Sequence, residues 1–331
     1  MRILVSIPKG EIKDTFIPPD VAKRLESIGE VLWNTTGGDY DGPRLAALLP
    51  GVDVCLTGWG TARFDETVLK NADRLRLIAH TGGTVAPLVS EELYDRGIKV
   101  ISGNWLYAES VAEGVVAYIL CALRQIPFFA GEVNAGRWRT ESYANQGLLD
   151  KKIGFIGFGM VAKNLAEMLR PFRVRIAAYD PFVPSEVFSE YGVECASMQE
   201  ILSQSDIISL HAAFTEQTHH MLGAAELRLI RNGALFINTA RGEIVDELAL
   251  AEELAAGRFQ AVLDVFEKEP LPQDCPLRGL GNVLLMPHLA GPTMDRRVLV
   301  TNALIDEIER FFSDEPLNYE ISREYARSMT I

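Results

Sequence analysis

Cysteine is scarce in this chain of 331 residues, and the four present lie far apart. Cys55, Cys121, Cys195 and Cys275 have no metal-ligand spacing and form no disulfide framework, so reduced thiols and no bound metal are expected. Cys55 and Cys121 sit in apolar runs and read as core. Positive charge is also in deficit: 32 Lys and Arg against 45 Asp and Glu give a net charge of −13. That balance argues against a nucleic-acid surface, which needs a basic patch. No apolar run is expected to be long enough to span a membrane, and Met1-Arg-Ile-Leu leads into a strand rather than a signal peptide. A cytoplasmic protein is the expectation. What is abundant is apolar material, 48% of residues, enough for the two cores that a chain of this length suggests.

The most specific signal is Lys152-Ile-Gly-Phe-Ile-Gly-Phe-Gly-Met-Val-Ala162. The run Ile153–Ile156 reads as a buried strand that empties into Gly157-x-Gly159-x-x-Ala162, with a helical pattern following to Arg170. A second apolar run, Val174–Tyr179, ends at Asp180. Strand, glycine turn, helix, strand and acid together form a dinucleotide-binding fingerprint. Gly157 permits the tight turn, Gly159 admits a pyrophosphate to the backbone, and the helix start offers N–H groups. Asp180 is placed to accept hydrogen bonds from an adenosine ribose, and it repels a 2′-phosphate. Pro181-Phe182-Val183 adds no cation for such a phosphate, so NAD is expected over NADP.

Alternation of apolar runs and helical patterns predicts an α/β protein with two doubly wound parallel-sheet domains and a ligand cleft between them. In the first hundred residues the strands are expected at Ile3–Ser6, Val52–Thr57, Leu77–Ala79 and Lys99–Ile101. Helices are expected at Asp20–Ile28, Pro43–Leu49, Asp65–Asn71 and Ser90–Arg96. An apolar helix over Ala108–Arg124 follows, then a non-periodic segment, Pro127–Asn145, expected to be an extended arm. The second series has strands at Ile153–Ile156, Val174–Tyr179, Ile207–Leu210, Ala234–Asn238, Ala261–Asp264 and Val283–Met286. A long helix is expected over Thr293–Phe312, and the tail after it should return to the first domain. The expected division is residues 1–107 with 294–331 for substrate, and 108–293 for the dinucleotide.

Three clusters fall at the carboxyl ends of expected strands, where open α/β sheets bind ligands. They are Asn238-Thr-Ala-Arg241-Gly242, Asp264-Val-Phe-Glu-Lys-Glu269-Pro270 and Pro287-His288-Leu-Ala-Gly291. Taken singly, Arg241 fits a surface ion-pair partner and His288 a buried histidine bonded to backbone. Together they supply a guanidinium, a carboxylate and an imidazole after a dinucleotide fingerprint. That set suits reduction of a carbonyl beside a carboxylate: Arg clamps the carboxylate, His exchanges the proton, and the acid favours charged His and fixes its tautomer. His211 ends a strand and is a candidate for the adenosine side; His80, before Gly82-Gly83, is a weaker candidate near the first domain's ligand edge. His219 and His220 read as surface. Trp59, in Thr57-Gly-Trp-Gly60, is a candidate wall for a substrate side chain.

With Val111-Ala-Glu113, Tyr179-Asp-Pro181 and Ser205-Asp-Ile-Ile-Ser-Leu-His211 added, the chain resembles the D-isomer-specific 2-hydroxyacid dehydrogenases over roughly Ala108–Thr293. The resemblance implies a flavodoxin-like substrate domain and a Rossmann NAD domain. It implies that Arg241 binds and polarises a 2-oxo acid, that His288 is the acid/base with Glu269 as partner, and that Asp264 holds the nicotinamide carboxamide. By analogy, amides of Gly82, Gly83 and Thr84 cradle the substrate carboxylate. Further cofactor positions implied are Met160, Val161, Pro181, His211, Ala213, Thr218, Thr239, Ala240 and Gly291, with His288 at the nicotinamide end. A homodimer through the NAD domain is also implied, with the 127–145 arm crossing to the partner. Departures lie at Ala212-Ala213, where the family usually has x-Pro, and at Ala79–Val85, which replaces the usual loop. The expected activity is NAD-dependent interconversion of a small 2-oxo acid and its D-2-hydroxy acid. Two alternatives are an NAD(H)-sensing corepressor of the same fold and a formate-type dehydrogenase; the second is disfavoured because Glu269 stands where that subfamily pairs glutamine with the histidine.

Overall fold

The computed structural model describes residues 1–138 and 145–331. Contacts divide the chain into two compact units, Met1–Tyr107 with Pro292–Ile331, and Ala108–Gly291.

In chain order the elements of the first unit begin β1 Arg2–Val5, α1 Glu11–Phe16, α2 Pro19–Ile28, β2 Glu30–Trp33 and α3 Gly42–Leu48. They continue with β3 Val54–Thr57, α4 Glu66–Leu69, β4 Leu77–His80, α5 Glu91–Asp95 and β5 Lys99–Ser102. Helix α6, Asn104–Leu123, starts in this unit and continues into the second. The second unit then holds α7 Ile126–Asn134, β6 Lys152–Ile156, α8 Met160–Leu169, β7 Arg175–Tyr179, α9 Ser185–Glu190 and β8 Glu194–Cys195. After these come α10 Met198–Gln204, β9 Ile207–Leu210, α11 Ala224–Leu229, β10 Leu235–Asn238, α12 Glu247–Ala255, β11 Gln260–Leu263 and β12 Val283–Leu285. Helices α13 Arg297–Phe312 and α14 Arg323–Ser328 return to the first unit.

The first sheet is parallel with strand order β2-β1-β3-β4-β5, so the order reverses between β1 and β3. The second has the order β12-β11-β10-β9-β6-β7-β8 and reverses between β6 and β9. These are the flavodoxin-like and Rossmann arrangements, both of which place ligands beyond the carboxyl ends of the strands at the reversal. Central strands such as β3, β4, β9 and β10 are buried throughout. That is why they read as continuous apolar runs rather than alternating ones. Each sheet has an apolar core on both faces. In the first unit, Phe16, Leu25, Leu304 and Ile308 fill one face, and Leu45, Val68, Leu93 and Ala326 the other.

Several expectations need correction. Strand β2 and helix α1 are absent from the sequence reading. Strand β2 is a half-buried edge strand and α1 is a single short element, so neither carries a strong periodic signal. The Pro127–Asn145 segment is not an extended arm from its start: α7 occupies Ile126–Asn134, with Pro127 in its first turn, where the missing N–H costs nothing. Residues 139–144 of that segment lie outside the described residues. Helix α13 starts at Arg297 rather than Thr293. Helix α6 is long and apolar enough, by length and composition, to cross a membrane, contrary to the expectation that no run qualifies. Ala112, Val115, Ile119, Ala122 and Leu123 on it are nevertheless buried in the second unit's core, which is the packing of a core helix. Cys121 on the same helix is only partly buried, not a core thiol.

Two histidines at strand ends, His80 buried and His211 half-buried, have no ion pair among the described residues. Burial pushes His80 down to about 4 and His211 down to about 3. A histidine with a depressed folded-state value binds its proton in the unfolded chain first. Its contribution to stability is therefore lost as pH falls from the unfolded value, 6.5, toward about 4. Denaturant unfolding should show stability falling between pH 7 and 5.5 with a slope approaching on the order of 1.4 kcal/mol per unit for each histidine. His80→Gln should flatten that slope; an unchanged slope would mean that His80 titrates freely in the folded protein.

Candidate active site

The turn after β6 is built for close approach. Gly157 has φ +91, and a Cβ there would collide with the backbone of His211 and Ala212. The next helix, α8, begins on Gly159, which has no side chain to cap it. Helices α3, α4, α5, α10, α12 and α14 each begin on an Asp or Ser whose side chain accepts from the helix backbone. A Cβ at Gly159 would meet nothing within 4 Å, so the space before the first residues of α8, Met160 and Val161, is open. An uncapped helix start in open space is an anion site. Asp180, after β7, accepts from Phe158 N at 2.8 Å and from Phe182 N at 3.0 Å. Those bonds fix the carboxylate beside the glycine turn, with lone pairs left for ribose hydroxyls. Pro181 lies in the turn that follows. These residues fit a dinucleotide.

At β9 and β10 the loops are held by their own residues. Thr218 Oγ1 donates to Ala213 O at 2.7 Å, which shapes the loop. Asn238, buried, accepts from Ala240 N and donates to Arg241 O, stapling the Thr239–Arg241 turn. Thr239 Oγ1 is buried without a partner. His211 is turned edge-on to Phe155, ring centroids 5.3 Å apart, and its Nε2 is buried without a partner.

Arg241 Nη1 donates to Ala240 O at 2.7 Å, and the guanidinium makes no ion pair among the described residues. Burial pulls its pKa down, opposed by the charges of Glu243 and Glu269. A guanidinium desolvated without a bonded counter-ion is ready to take a carboxylate through its planar fork.

Glu269 Oε2 lies 2.8 Å from His288 Nδ1, and its Oε1 accepts from Phe266 N at 3.1 Å. The neighbouring acid, Glu267, instead pairs with His220 Nε2 at 2.7 Å. Two glutamates thus serve two histidines. With a carboxylate on Nδ1, the His288 ring is held in the tautomer that leaves Nε2 for chemistry. His288 has φ +54, a left-handed conformation unusual for a residue with a Cβ.

That conformation is held by Asp264, which is fully buried. Its backbone carbonyl accepts from His288 N at 2.9 Å. Its Oδ1 accepts from Leu289 N and from Tyr118 Oη, and its Oδ2 from Ala290 N, all at 2.9 Å. In this structure the Asp264 carboxylate is bound to the histidine-bearing turn ahead of Gly291, whereas the resemblance assigns it to the nicotinamide carboxamide. Tyr118 on α6 is the residue that sequence reasoning missed. Its only signal was one phenol in a long apolar helix, and burial together with the Asp264 charge raises its pKa.

In the first unit, Gly82–Thr84 follow β4. Gly82 O and Gly83 O accept from Gly103 N and Ser102 Oγ, and Thr84 Oγ1 donates to Thr330 O at 2.6 Å. The N–H groups of these three residues find no acceptor among the described residues. Free backbone amides in a loop are donors that suit an anion. His80 lies beneath the loop, its Nδ1 3.0 Å from Thr57 Oγ1. Trp59, after β3, is half exposed and packs edge-on against Phe16 and Tyr107. No cluster of His, Cys, Asp and Glu among the described residues is arranged to hold a metal ion.

Comparison with known proteins agrees with this arrangement. Residues 116–290 match the family described as D-isomer specific 2-hydroxyacid dehydrogenase, NAD binding domain. A D-3-phosphoglycerate dehydrogenase of Methanocaldococcus jannaschii is 31% identical over 317 residues, 95% of this chain and 58% of that protein. A hydroxypyruvate reductase of Thermotoga maritima is 31% identical, covering 80% of this chain and 86% of the other. The crystal structure of a phosphoglycerate oxidoreductase from Rhizobium etli superposes with a TM-score of 0.81 at 27% identity, covering 98% and 99% of the two chains. This chain spans about half the length of the phosphoglycerate dehydrogenases it matches. The fold and site define an NAD-binding protein. The chain belongs to the D-isomer-specific 2-hydroxyacid dehydrogenase family.

Replacing Glu269 with Gln keeps the shape but removes the charge that steadies His288. Turnover should fall roughly tenfold or more, part of the roughly 10²–10⁴-fold that a general acid–base group contributes. Glu267→Gln, affecting only the His220 pair, should change kcat by less than about twofold, well below that range. Equal losses in the two variants would separate Glu269 from the chemistry.

Proposed function

We propose that this protein reduces a small 2-oxo acid to its D-2-hydroxy acid at the expense of NADH, and catalyses the reverse reaction. The observation that carries the reading is the His288–Glu269 pair at 2.8 Å, borne on loops of the NAD-binding unit beside an arginine without a counter-ion. Bound NADH supplies the hydride for the substrate's C2. Gly159 with the start of α8 receives the pyrophosphate, and Asp180 the adenosine ribose. On the NAD-binding unit, Arg241 holds the substrate carboxylate and polarises its carbonyl. On the first unit, the amides of Gly82, Gly83 and Thr84 are carboxylate donors of their own. His288, charged and held by Glu269, delivers the proton to the forming alkoxide from Nε2. Asp264 keeps the imidazole in place.

The names of the relatives support a reductase acting on hydroxypyruvate, glyoxylate or phosphoglycerate-type acids. A corepressor-like sensor needs the dinucleotide site alone and gives no role to the joined Arg241, Glu269 and His288. A formate-type enzyme is disfavoured by glutamate at 269. A panel of 2-oxo acids with NADH, followed by loss of NADH absorbance, tests the reading. His288→Ala should lower kcat by roughly a hundredfold or more while leaving NADH affinity nearly unchanged. Turnover close to wild type in that variant, or no turnover of any 2-oxo acid by the native protein, would contradict it.

We further propose a homodimer formed through the NAD-binding unit, in the cytoplasm. Helix α7 leaves Ile126, Phe128 and Val133 more than half exposed, and Trp138 beyond it is 75% exposed. Large apolar side chains exposed close together in the sequence call for a partner surface. Light scattering at micromolar concentration should give twice the chain mass of 36.6 kDa, and Phe128→Asp should shift it toward the monomer. A native monomer would overturn the assignment.

A further inference from the structure

The first unit contains a cation that the reaction above does not use. Arg297 opens α13, and its guanidinium lies over the rings of Phe16 at 5.4 Å and Trp59 at 5.7 Å. Its one side-chain hydrogen bond runs from Nη1 to Thr15 Oγ1 at 3.2 Å. It makes no ion pair among the described residues, although the chain carries 13 more acidic than basic side chains. Its Nε is buried without an acceptor.

A second orphan donor lies close by. Tyr107 Oη is buried without a partner, and the charge of Arg297 acts on this phenol. The Tyr107 ring packs against Gly83, where a Cβ would stand 3.5 Å from Cδ1. Its centroid is 6.3 Å from Trp59. Trp59 follows β3, one of the two strands between which the sheet order reverses. The cluster therefore lies at the ligand-binding end of this unit's sheet, beside the loop of free amides.

A buried N–H or O–H without an acceptor carries a desolvation cost that a native structure does not usually leave unmet. Two such donors, one of them charged, share a single requirement: an anionic acceptor. The two aromatic rings hold the guanidinium plane fixed, so an anion arriving there finds its donors already oriented.

We propose that Arg297 and Tyr107 form a subsite for a second anionic group of the substrate, so that the preferred 2-oxo acids are dianions. The terminal group is a carboxylate or a phosphate ester, recognised through the same donors. This rests on the reading that Gly82–Thr84 hold the substrate's C1 carboxylate. Trp59 then serves as a wall that orients the arginine, more than as a steric limit on side-chain size.

The test compares kcat/KM with NADH for oxaloacetate, 2-oxoglutarate and 3-phosphohydroxypyruvate against pyruvate and 2-oxobutyrate. The native protein should favour at least one dianion by tenfold or more, as a charge-assisted hydrogen bond pair provides. Arg297→Gln should lower the dianion-to-monoanion ratio by about tenfold or more. Arg297→Lys, retaining charge without the planar fork, should fall between, and Tyr107→Phe should reduce the ratio less. The response among the dianions distinguishes carboxylate from phosphate. A ratio unchanged in a folded Arg297→Gln protein, or an equal fall for both classes, overturns the subsite. If no 2-oxo acid is reduced, the functional reading fails on its own. Calorimetry with malonate and with inorganic phosphate then decides the subsite: binding to the native protein that Arg297→Gln abolishes supports it, and equal or absent binding overturns it.

Discussion

The active arrangement depends on one buried carboxylate. Asp264 follows β11 with no exposed surface, and a charge there is tolerable only if donors surround it. Three side-chain acceptances and one backbone acceptance, all at 2.9 Å, meet that need. All but one of the donors are amides of His288–Ala290. Desolvating the carboxylate therefore folds the histidine-bearing turn around it. Left-handed backbone at His288 costs on the order of 1 kcal/mol, and these bonds more than offset it. The resulting ring direction is what lets Glu269 reach Nδ1.

From that point the other parts divide by physical type. The dinucleotide end uses backbone: glycine at 157 because no Cβ fits against residues 211 and 212, and glycine at 159 because nothing fills the space before α8. A second kind of donor is found on each unit by itself: Arg241, without a bonded counter-ion among the described residues, and the free amides of the Gly82–Thr84 loop. The two kinds of site fit an anionic cofactor and an anionic substrate on a protein whose overall charge is itself −13, since local donors rather than net charge set the binding.

What the sequence discloses follows from how local each requirement is. The Gly157-x-Gly159 turn, the acid at 180 and the buried strands are written in short segments, because each is imposed by neighbouring residues or by the sheet. Arg241, Glu269 and His288 are legible as a group because strand ends collect ligand-binding residues. Helix α7 is not, because Gly131 interrupts its pattern and apolar residues such as Ile126, Phe128 and Val133 are exposed in this chain. Tyr118 is invisible for a different reason: its partner is 146 residues away, and a phenol in an apolar helix has no meaning until the fold supplies the acceptor.

The central claim is that Asp264 holds the His288 turn, a role separable from any contact with the cofactor. Asp264→Asn tests it most directly. The amide preserves shape but sets an NH2 group against one of the N–H donors, an unsatisfied contact worth about 1–3 kcal/mol at the turn. Turnover of a 2-oxo acid and NADH affinity by fluorescence titration should be measured on the same folded protein. The account predicts a kcat loss approaching that of removing His288, with the NADH dissociation constant changed only a few-fold. Near-native turnover with the loss confined to NADH affinity would contradict it and return Asp264 to the nicotinamide.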